Sequence, residues 1–385
     1  MTLRLFDTDA YLSAFSATVL RCEPEGDRFA VVLEATAFFP EMGGQTADNG
    51  TLGGARVLDV REAAGEIIHY TDRPLPVGSR VEGAIEFAER FEKMQCHTAE
   101  HIVSGIIHTL YGYDNVGFHL GRDSVTFDVS APLSRDQLWE VERLANEAVY
   151  RNLPVTATYP DPLTLPTLTY RAKLDLTEGV RIVTIGDVDV CACCAPHVSH
   201  TGEIGHIRLY EFEKHKEGVR IRLLAGRRAL LEDRRTFLEN YRVATSLSVK
   251  QHETAETVEK LRSELAHTAY LLRESEMRRL RERAESITPT ARNMVFDLAD
   301  APVDAVRAFS NALTPRVEGV LVLLYGEGEA KKVILSSDTV DLRAALPTLR
   351  DALSLRGGGS ARMVQGSVGA TLDAIERYFA ANSLL

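Results

Sequence analysis

Two short segments constrain this chain more than any other feature. His97-Thr-Ala-Glu-His101 lies in a stretch of helical spacing. Residues i and i+4 share a helix face, so both imidazoles can reach one ion. Cys193-Cys-Ala-Pro-His197 begins 92 residues after His101 and offers a thiolate and a third imidazole. His97, His101, Cys193 and His197 together make a complete tetrahedral set of the mixed N/S type that zinc takes, one ion per chain. Each half alone is weak, because a histidine pair on a helix is more often surface or satisfied core than ligand. The conjunction carries the reading, and it requires a fold that brings residues 97–101 and 193–197 together. The peptidase pattern His-Glu-x-x-His is not met, since Glu100 immediately precedes the second histidine and is expected to point off the ligating face. Cys191-Ala-Cys-Cys194 lacks the βαβ surroundings of a thioredoxin-like redox motif. Cys22 and Cys96 read as buried small residues.

The composition is that of a soluble globular protein, 45% apolar and 26% charged. No apolar run approaches the roughly 18 residues of a membrane helix, and the acidic N-terminus does not resemble a signal peptide. Crowded rather than spaced cysteines suit a reducing compartment, so a cytoplasmic location without membrane association is expected. The net charge of −11 argues against simple coating of nucleic acid, but the total hides an asymmetry. Residues 1–90 carry 8 basic and 15 acidic side chains, whereas Lys214–Arg242 carries 9 and 4. A polyanion should therefore meet the middle of the chain.

The expected fold class is α+β, in four parts. Residues 1–90 show short strands (Phe29–Leu33, Arg56–Val60, Ile67–Tyr70) broken at Gly43-Gly44, Gly53-Gly54 and Pro74–Gly78, which predicts a barrel-like domain. Residues 91–225 form an α/β zinc-binding core. It has a helix from Arg90 to Gly112, strands at Ser124–Val129, Ile182–Ile185 and Glu203–Tyr210, and a helix from Ser134 opened by a Ser-x-x-Gln capping box. Residues 226–286 contain no proline, and Val258, Leu261, Leu265 and Leu272 keep heptad-like steps. That pattern predicts a coiled-coil-like linker, an antiparallel pair turning near Leu247–His252. Residues 287–385 form a small α/β domain with strands at Val317–Tyr325 and Lys331–Leu335, a helix at Asp341–Ala352, a glycine loop at Gly357–Gly359 and a last helix from Leu372.

Thr36-Ala-Phe-Phe-Pro-Glu-Met-Gly-Gly-Gln-Thr-Ala-Asp-Asn-Gly50 resembles the segment that opens the editing domain of alanyl-tRNA synthetases and their free-standing relatives. The two histidine-bearing segments are similar to that family's zinc half-motifs, in the same order and separation. The helices from Gly226 and the stretch Gly357–Gly366 resemble the linker and C-terminal domain of the same synthetases. The likeness thus spans essentially the whole chain. Phe39 stands where tyrosine is common and Pro196 where threonine is usual, and both bear on the pocket rather than on the ligands. Only 35 residues precede Thr36, so no aminoacylation domain is expected and the chain resembles the long free-standing editing form.

The resemblance implies hydrolysis of the ester joining a wrong amino acid, chiefly serine and also glycine, to alanine tRNA. Pockets reject an added hydroxyl or a missing methyl poorly, so a second hydrolytic sieve is needed. By resemblance Thr36 and Gln45 are the polar, catalytic-site groups, and Gly43, Gly44 and Asp48 contact substrate, Asp48 by orienting Gln45 or by capping the turn. Zinc would polarise the ester, lower the pKa of a bound water, or hold the substrate. Transfer RNA would lie on Lys214, Lys216, Arg220, Arg222, Arg227 and Arg228, with Arg356 and Arg362 beside the glycine loop. The C-terminal domain, similar to DHHA1 domains but without a DHH phosphoesterase motif, is expected to bind tRNA or to form a homodimer, alone or with the helical linker. The competing reading is a non-catalytic zinc protein that binds tRNA or serves assembly.

Overall fold

In the computed structural model the described residues are 1–121, 124–172, 179–289, 292–299, 301–326 and 331–382. They form two compact units, Met1–Glu239 and Asn240–Leu385. The architecture is a mixture of sheets and helices, α+β as the sequence suggests.

In the first unit, six strands pair in the order Ala14–Glu25, Arg28–Leu33, Glu66–Thr71, Ala55–Ala63, Gly50–Leu52 and Arg80–Ile85, and the last closes onto the first. Strand Arg80–Ile85 alternates exposed and buried residues at every step, the period-two pattern of a strand with one face in a core. The barrel interior is filled by Val19, Val31, Leu33, Leu52, Val60 and Ile67, among others. Closure leaves no free sheet edge.

The helix Phe87–Tyr111 follows directly and ends at Gly112, whose left-handed conformation (φ 69°) allows its N–H to reach the His108 carbonyl. It packs, with the helix Arg135–Tyr150, against a four-stranded antiparallel sheet ordered Ile207–His215, Gly218–Ala225, Val125–Val129, Asn115–Leu120. The second helix carries the expected capping box, with Ser134 and Gln137 each bonding the other's backbone. Glu203, expected to open a strand, instead sits in a short helical turn, Thr201–Ile204, and the strand begins at Ile207. The Glu203 carboxylate takes the His200 N–H and the Ser199 hydroxyl, which favours the turn over an extended backbone.

One buried ion pair joins barrel to helix. Arg90 and Asp48 are both essentially inaccessible, and the Arg90 Nε sits 2.9 Å from Asp48 Oδ1. Arg90 also donates to the carbonyls of Ala37 (2.6 Å) and Ala10 (3.1 Å). Asp48 in turn accepts the Phe39 N–H at 2.7 Å. One helical turn on, Lys93 is buried with its Nζ 2.6 Å from the Ala47 carbonyl and 2.9 Å from Glu89 Oε1. The loop Ala37–Asp48 is thereby fastened to the helix by two desolvated cations.

In the second unit, five strands pair in the order Met294–Asp297, Leu321–Tyr325, Lys331–Ser336, Met363–Val368, Arg356–Gly359, with only the first pair parallel. Gly357–Gly359 therefore form an edge strand rather than the expected loop. Helices Leu342–Leu353 and Leu372–Ala381 cover one set of core residues, and Val303–Leu313 covers another together with Leu280 and Ala284. The expected helical break falls between Leu247 and Thr254. Val258, Leu261, Leu265 and Leu272, the residues of the expected heptad, are exposed within this chain. The helix Thr254–Ser286 is anchored in its unit near its C-terminal end.

Removing one partner of a buried ion pair leaves an uncompensated charge and costs about 3–5 kcal/mol. Arg90→Met should lower the stability of the first unit by that amount in urea unfolding followed through Trp139, the chain's one tryptophan. An unchanged midpoint would show that the pair does not hold the loop.

Candidate metal centre and pocket

His97 and His101 project from the same face of the helix Phe87–Tyr111, and the segment after strand Asp189–Ala192 brings Cys193 and His197 to them. The ligand atoms of all four lie within 4.8 Å of one another. Cys193 Sγ is 3.6 Å from His97 Nε2 and 3.3 Å from His197 Nε2. Zinc–sulfur and zinc–nitrogen bonds of about 2.3 and 2.0–2.1 Å on a tetrahedron give an S···N edge of about 3.6 Å, so the spacing fits such an ion. The three imidazole centroids stand 4.8–5.3 Å apart.

The outer partners fix the tautomers. His97 Nδ1 lies 2.9 Å from Gln45 Oε1, and His101 Nδ1 lies 3.2 Å from Asp189 Oδ2. His197 Nδ1 lies 3.0 Å from Thr98 Oγ1, whose own proton is donated to the Met94 carbonyl at 2.8 Å. Each partner presents an oxygen that accepts, so each Nδ1 carries the hydrogen and each Nε2 keeps its lone pair for the centre. Burial disfavours the Cys193 thiolate, but the imidazoles of His97, His197 and His101 outweigh it and hold the thiol well below its ordinary pKa. Burial drives His197 down to about 3, whereas at His101 burial is outweighed by the Cys193 thiolate and Asp189, which hold the imidazole well above its ordinary pKa. A metal must therefore displace a proton from His101 to reach the thiolate and neutral-imidazole ligating forms. The donor set therefore fits a metal ion.

The loop Ala37–Asp48 brings Gln45 to this centre. Gly44 adopts φ 83°, and a Cβ there would lie 2.4 Å from the Phe118 carbonyl oxygen, so only glycine lets the loop pass strand Asn115–Leu120 so closely. Leu120 N–H then donates to the Gly44 carbonyl at 2.7 Å. Gln45 is wholly buried, and with its Oε1 taken by His97 its Nε2 has no hydrogen-bond partner among the described residues. A buried amide N–H₂ left over beside a metal-ready quartet is a costly arrangement unless a ligand completes it.

Other predicted site residues fall elsewhere. Asp48 is buried and committed to Arg90 and Phe39, so its carboxylate clamps the loop. Thr36 is also fully buried, with Oγ1 2.8 Å from His69 Nε2 and accepting the Phe38 N–H at 3.1 Å. His69 Nδ1 faces the Val31 carbonyl at 3.2 Å, so Nε2 accepts and the Thr36 proton points to it. Gly43 and Gly44 are exposed at the loop's outer turn. Of the basic residues, Lys214 and Lys216 stand exposed at the turn between Ile207–His215 and Gly218–Ala225. Arg220 is paired with Asp128, Arg222 with Glu232, Arg227 and Arg228 with Glu92, and Arg362 with Asp338. Arg228 is largely covered and also donates to the Gly121 carbonyl, so it serves the fold. Arg356 is exposed on its edge strand.

Sequence reading missed Thr98, Asp189 and Arg181. Arg181 is buried and donates to the carbonyls of Cys193 (3.0 Å) and Ala195 (2.9 Å), which pins the ligand-bearing segment. Glu100 is occupied by Ser104 Oγ and Asn115 Nδ2. Cys96 is buried with its thiol pushed up to about 11 by desolvation, which leaves it unreactive.

The family described as "Threonyl and Alanyl tRNA synthetase second additional domain" matches residues 180–222, the strand–ligand–strand part of this site. The alanyl-tRNA editing protein AlaX-L of Pyrococcus horikoshii is 27% identical over 96% of this chain and 95% of its own length. The alanyl-tRNA editing protein Aarsd1 of Mus musculus is 27% identical over 94% of this chain and 93% of its own. The chain is similar to the alanyl-tRNA editing proteins along nearly its whole length. The alanine–tRNA ligase of Natronomonas pharaonis is 32% identical over 89% of this chain, which spans only 39% of that enzyme. The editing relatives are thus matched end to end and the ligases over about two-fifths of their length. No helix among the described residues is long and apolar enough to cross a membrane.

Two outcomes are expected of the residues assembled here. Metal analysis should find about one equivalent of zinc, lost in Cys193→Ala, and retention in that variant would remove Cys193 from the set. His69 supplies a pH test. Burial lowers its pKa to about 4, against an ordinary 6.5. Its contribution is therefore complete above pH 6.5 and is lost as pH falls toward 4, at up to about 1.4 kcal/mol per pH unit. Between pH 7 and 5 the wild type should lose roughly 2 kcal/mol more than His69→Gln in urea unfolding. Parallel losses would show that His69 does not titrate in this range.

Proposed function

We propose that the chain is an aminoacyl-tRNA deacylase acting in trans, which hydrolyses the ester of alanine tRNA mischarged with serine or glycine. The observation that carries this reading is the end-to-end match with editing proteins, against the partial match with ligases. His97, His101, Cys193 and His197 would hold one zinc ion. Bound zinc supplies a Lewis-acid charge beside the scissile ester.

The protein's own groups then divide the work. Gln45 reads the substrate: its Oε1 holds His97, and its free Nε2–H₂ donates to an oxygen of the incoming aminoacyl group, where serine offers a hydroxyl that alanine lacks. Thr36 supports the loop through His69 and Phe38, and Asp48 fastens it to Arg90. Gly43 and Gly44 keep the loop thin at the entrance. We assign residues 1–90 to the barrel, 91–225 to the editing core, 226–286 to a helical linker and 287–385 to a domain for tRNA binding or dimerisation. Lys214, Lys216, Arg227 and Arg356 are the exposed cations best suited to phosphate. A cytoplasmic location follows from the substrate. The non-catalytic alternative leaves the buried Gln45 amide without a purpose.

Incubation of the purified protein with seryl- and alanyl-charged alanine tRNA tests the reading. Seryl ester should disappear faster, chelator should stop it and added zinc should restore it. Loss of neither ester under any metal condition would contradict the proposal. Gln45→Glu keeps an oxygen for His97 but deletes the amide donor. A hydrogen bond of about 0.5–1.5 kcal/mol corresponds to roughly two- to tenfold in rate, so the serine/alanine ratio of kcat/KM should narrow by that factor with zinc content unchanged. An unaltered ratio would move selectivity to another group. A chain ending at Glu239 should lose affinity for charged tRNA while still hydrolysing a small seryl ester. Equal KM values for tRNA would contradict the role given to the second unit.

A further inference from the structure

His101 is held by a pair of residues that no ligand pattern predicts. Its Nδ1 lies 3.2 Å from Asp189 Oδ2, and Asp189 is gripped by Arg171 in bidentate fashion, Nε to Oδ1 at 2.8 Å and Nη2 to Oδ2 at 2.9 Å. Asp189 is 6% exposed, so this carboxylate is desolvated and its orientation is set by its two partners. Arg171 is itself fixed to the same strand, its N–H on the Val190 carbonyl and its carbonyl on the Ala192 N–H.

The helix makes room for this arrangement. Gly105, one turn beyond His101, lies in the interior of Phe87–Tyr111, where glycine weakens a helix. A Cβ at Gly105 would lie 2.9 Å from Asp189 Cβ, 2.9 Å from the Val188 carbonyl oxygen and 3.0 Å from Asp189 Oδ1. Alanine could be accommodated only by moving the strand that carries Asp189. The glycine is thus explained by the approach of Asp189 to His101 and by no turn or cap.

We infer that Asp189, oriented by Arg171 and admitted by Gly105, is the positioning residue that sets the metal affinity of this centre through His101. The inference rests on the proposed metal quartet. A carboxylate on the far nitrogen of a ligating imidazole fixes its tautomer and aim and raises its basicity, and loss of such a partner weakens metal binding by about 10–100-fold. Gln45 and Thr98, the partners of His97 and His197, are neutral. Asp189 alone brings a charge to the ring of outer acceptors named here.

The test is zinc affinity of the full chain, measured by chelator competition, for wild type, Asp189→Asn and Gly105→Ala, with the cobalt(II)-substituted absorption spectrum as a second readout. Both variants should bind zinc about 10–100-fold more weakly and shift the cobalt ligand-field bands, with metal-free Gly105→Ala still unfolding in one cooperative transition. Should Asp189→Asn fail to fold, Gly105→Ala decides by itself. Unchanged affinity and spectra in Gly105→Ala, or in a folded Asp189→Asn, would overturn the inference while leaving the quartet standing. His101, Asp189 and Cys191 also lie close enough to share an ion. Complete loss of metal in Asp189→Asn with full retention in Cys193→Ala would place the ion on that set and overturn the inference. A wild type that binds no zinc would remove the quartet itself.

Discussion

The ion pair between Arg90 and Asp48 ties the loop leaving the barrel to the helix that bears two of the four metal-ready side chains. Neither charge reaches water, so each holds the other in place, and the Ala37 and Ala10 carbonyls and the Phe39 N–H make further hydrogen bonds to the pair. Such a pair adds little net stability compared with an apolar filling, but it tolerates only one geometry. That geometry puts Gln45 on His97. The site is therefore built from a barrel loop and a helix whose relative position is set by buried charge.

Around the centre, each outward imidazole nitrogen has a directional assignment. Each imidazole Nδ1–H meets an oxygen, and the inward Nε2 atoms face the Cys193 sulfur, whose thiolate is steadied by the charge that His101 carries before a metal binds. The Gln45 amide nitrogen beside them has no partner among the described residues. An unmatched buried donor next to the quartet marks a place where a ligand's acceptor would fit.

Local signals in the sequence were enough to place several elements. Ser134 and Gln137 mark a helix start, Gly112 a helix end, and the break between Leu247 and Thr254 lies where the apolar pattern lapses. The meeting of His97, His101, Cys193 and His197 was legible because a helical i, i+4 pair and a tight Cys-x-x-x-His each place their side chains on one side of a short segment. The roles of Asp48 and Thr36 were not legible, since a carboxylate or hydroxyl near a pocket motif reads as substrate-facing until its buried partners Arg90 and His69 are known. Arg220 and Arg228 looked like phosphate ligands for the same reason, their partners Asp128 and Glu92 lying about a hundred residues away in sequence. The heptad at Val258–Leu272 showed an apolar stripe but could not show what, if anything, covers it. A mid-helix glycine at Gly105 was the one visible hint of Asp189.

The central claim is that one ion is held by one sulfur and three nitrogens. Zinc K-edge X-ray absorption on the purified full chain tests it directly. The account predicts a first shell of one sulfur at about 2.3 Å and three nitrogens at about 2.0–2.1 Å, with the outer-shell scattering of imidazole rings. A shell with two sulfurs, drawing in Cys191 or Cys194, or one with no sulfur, would contradict it.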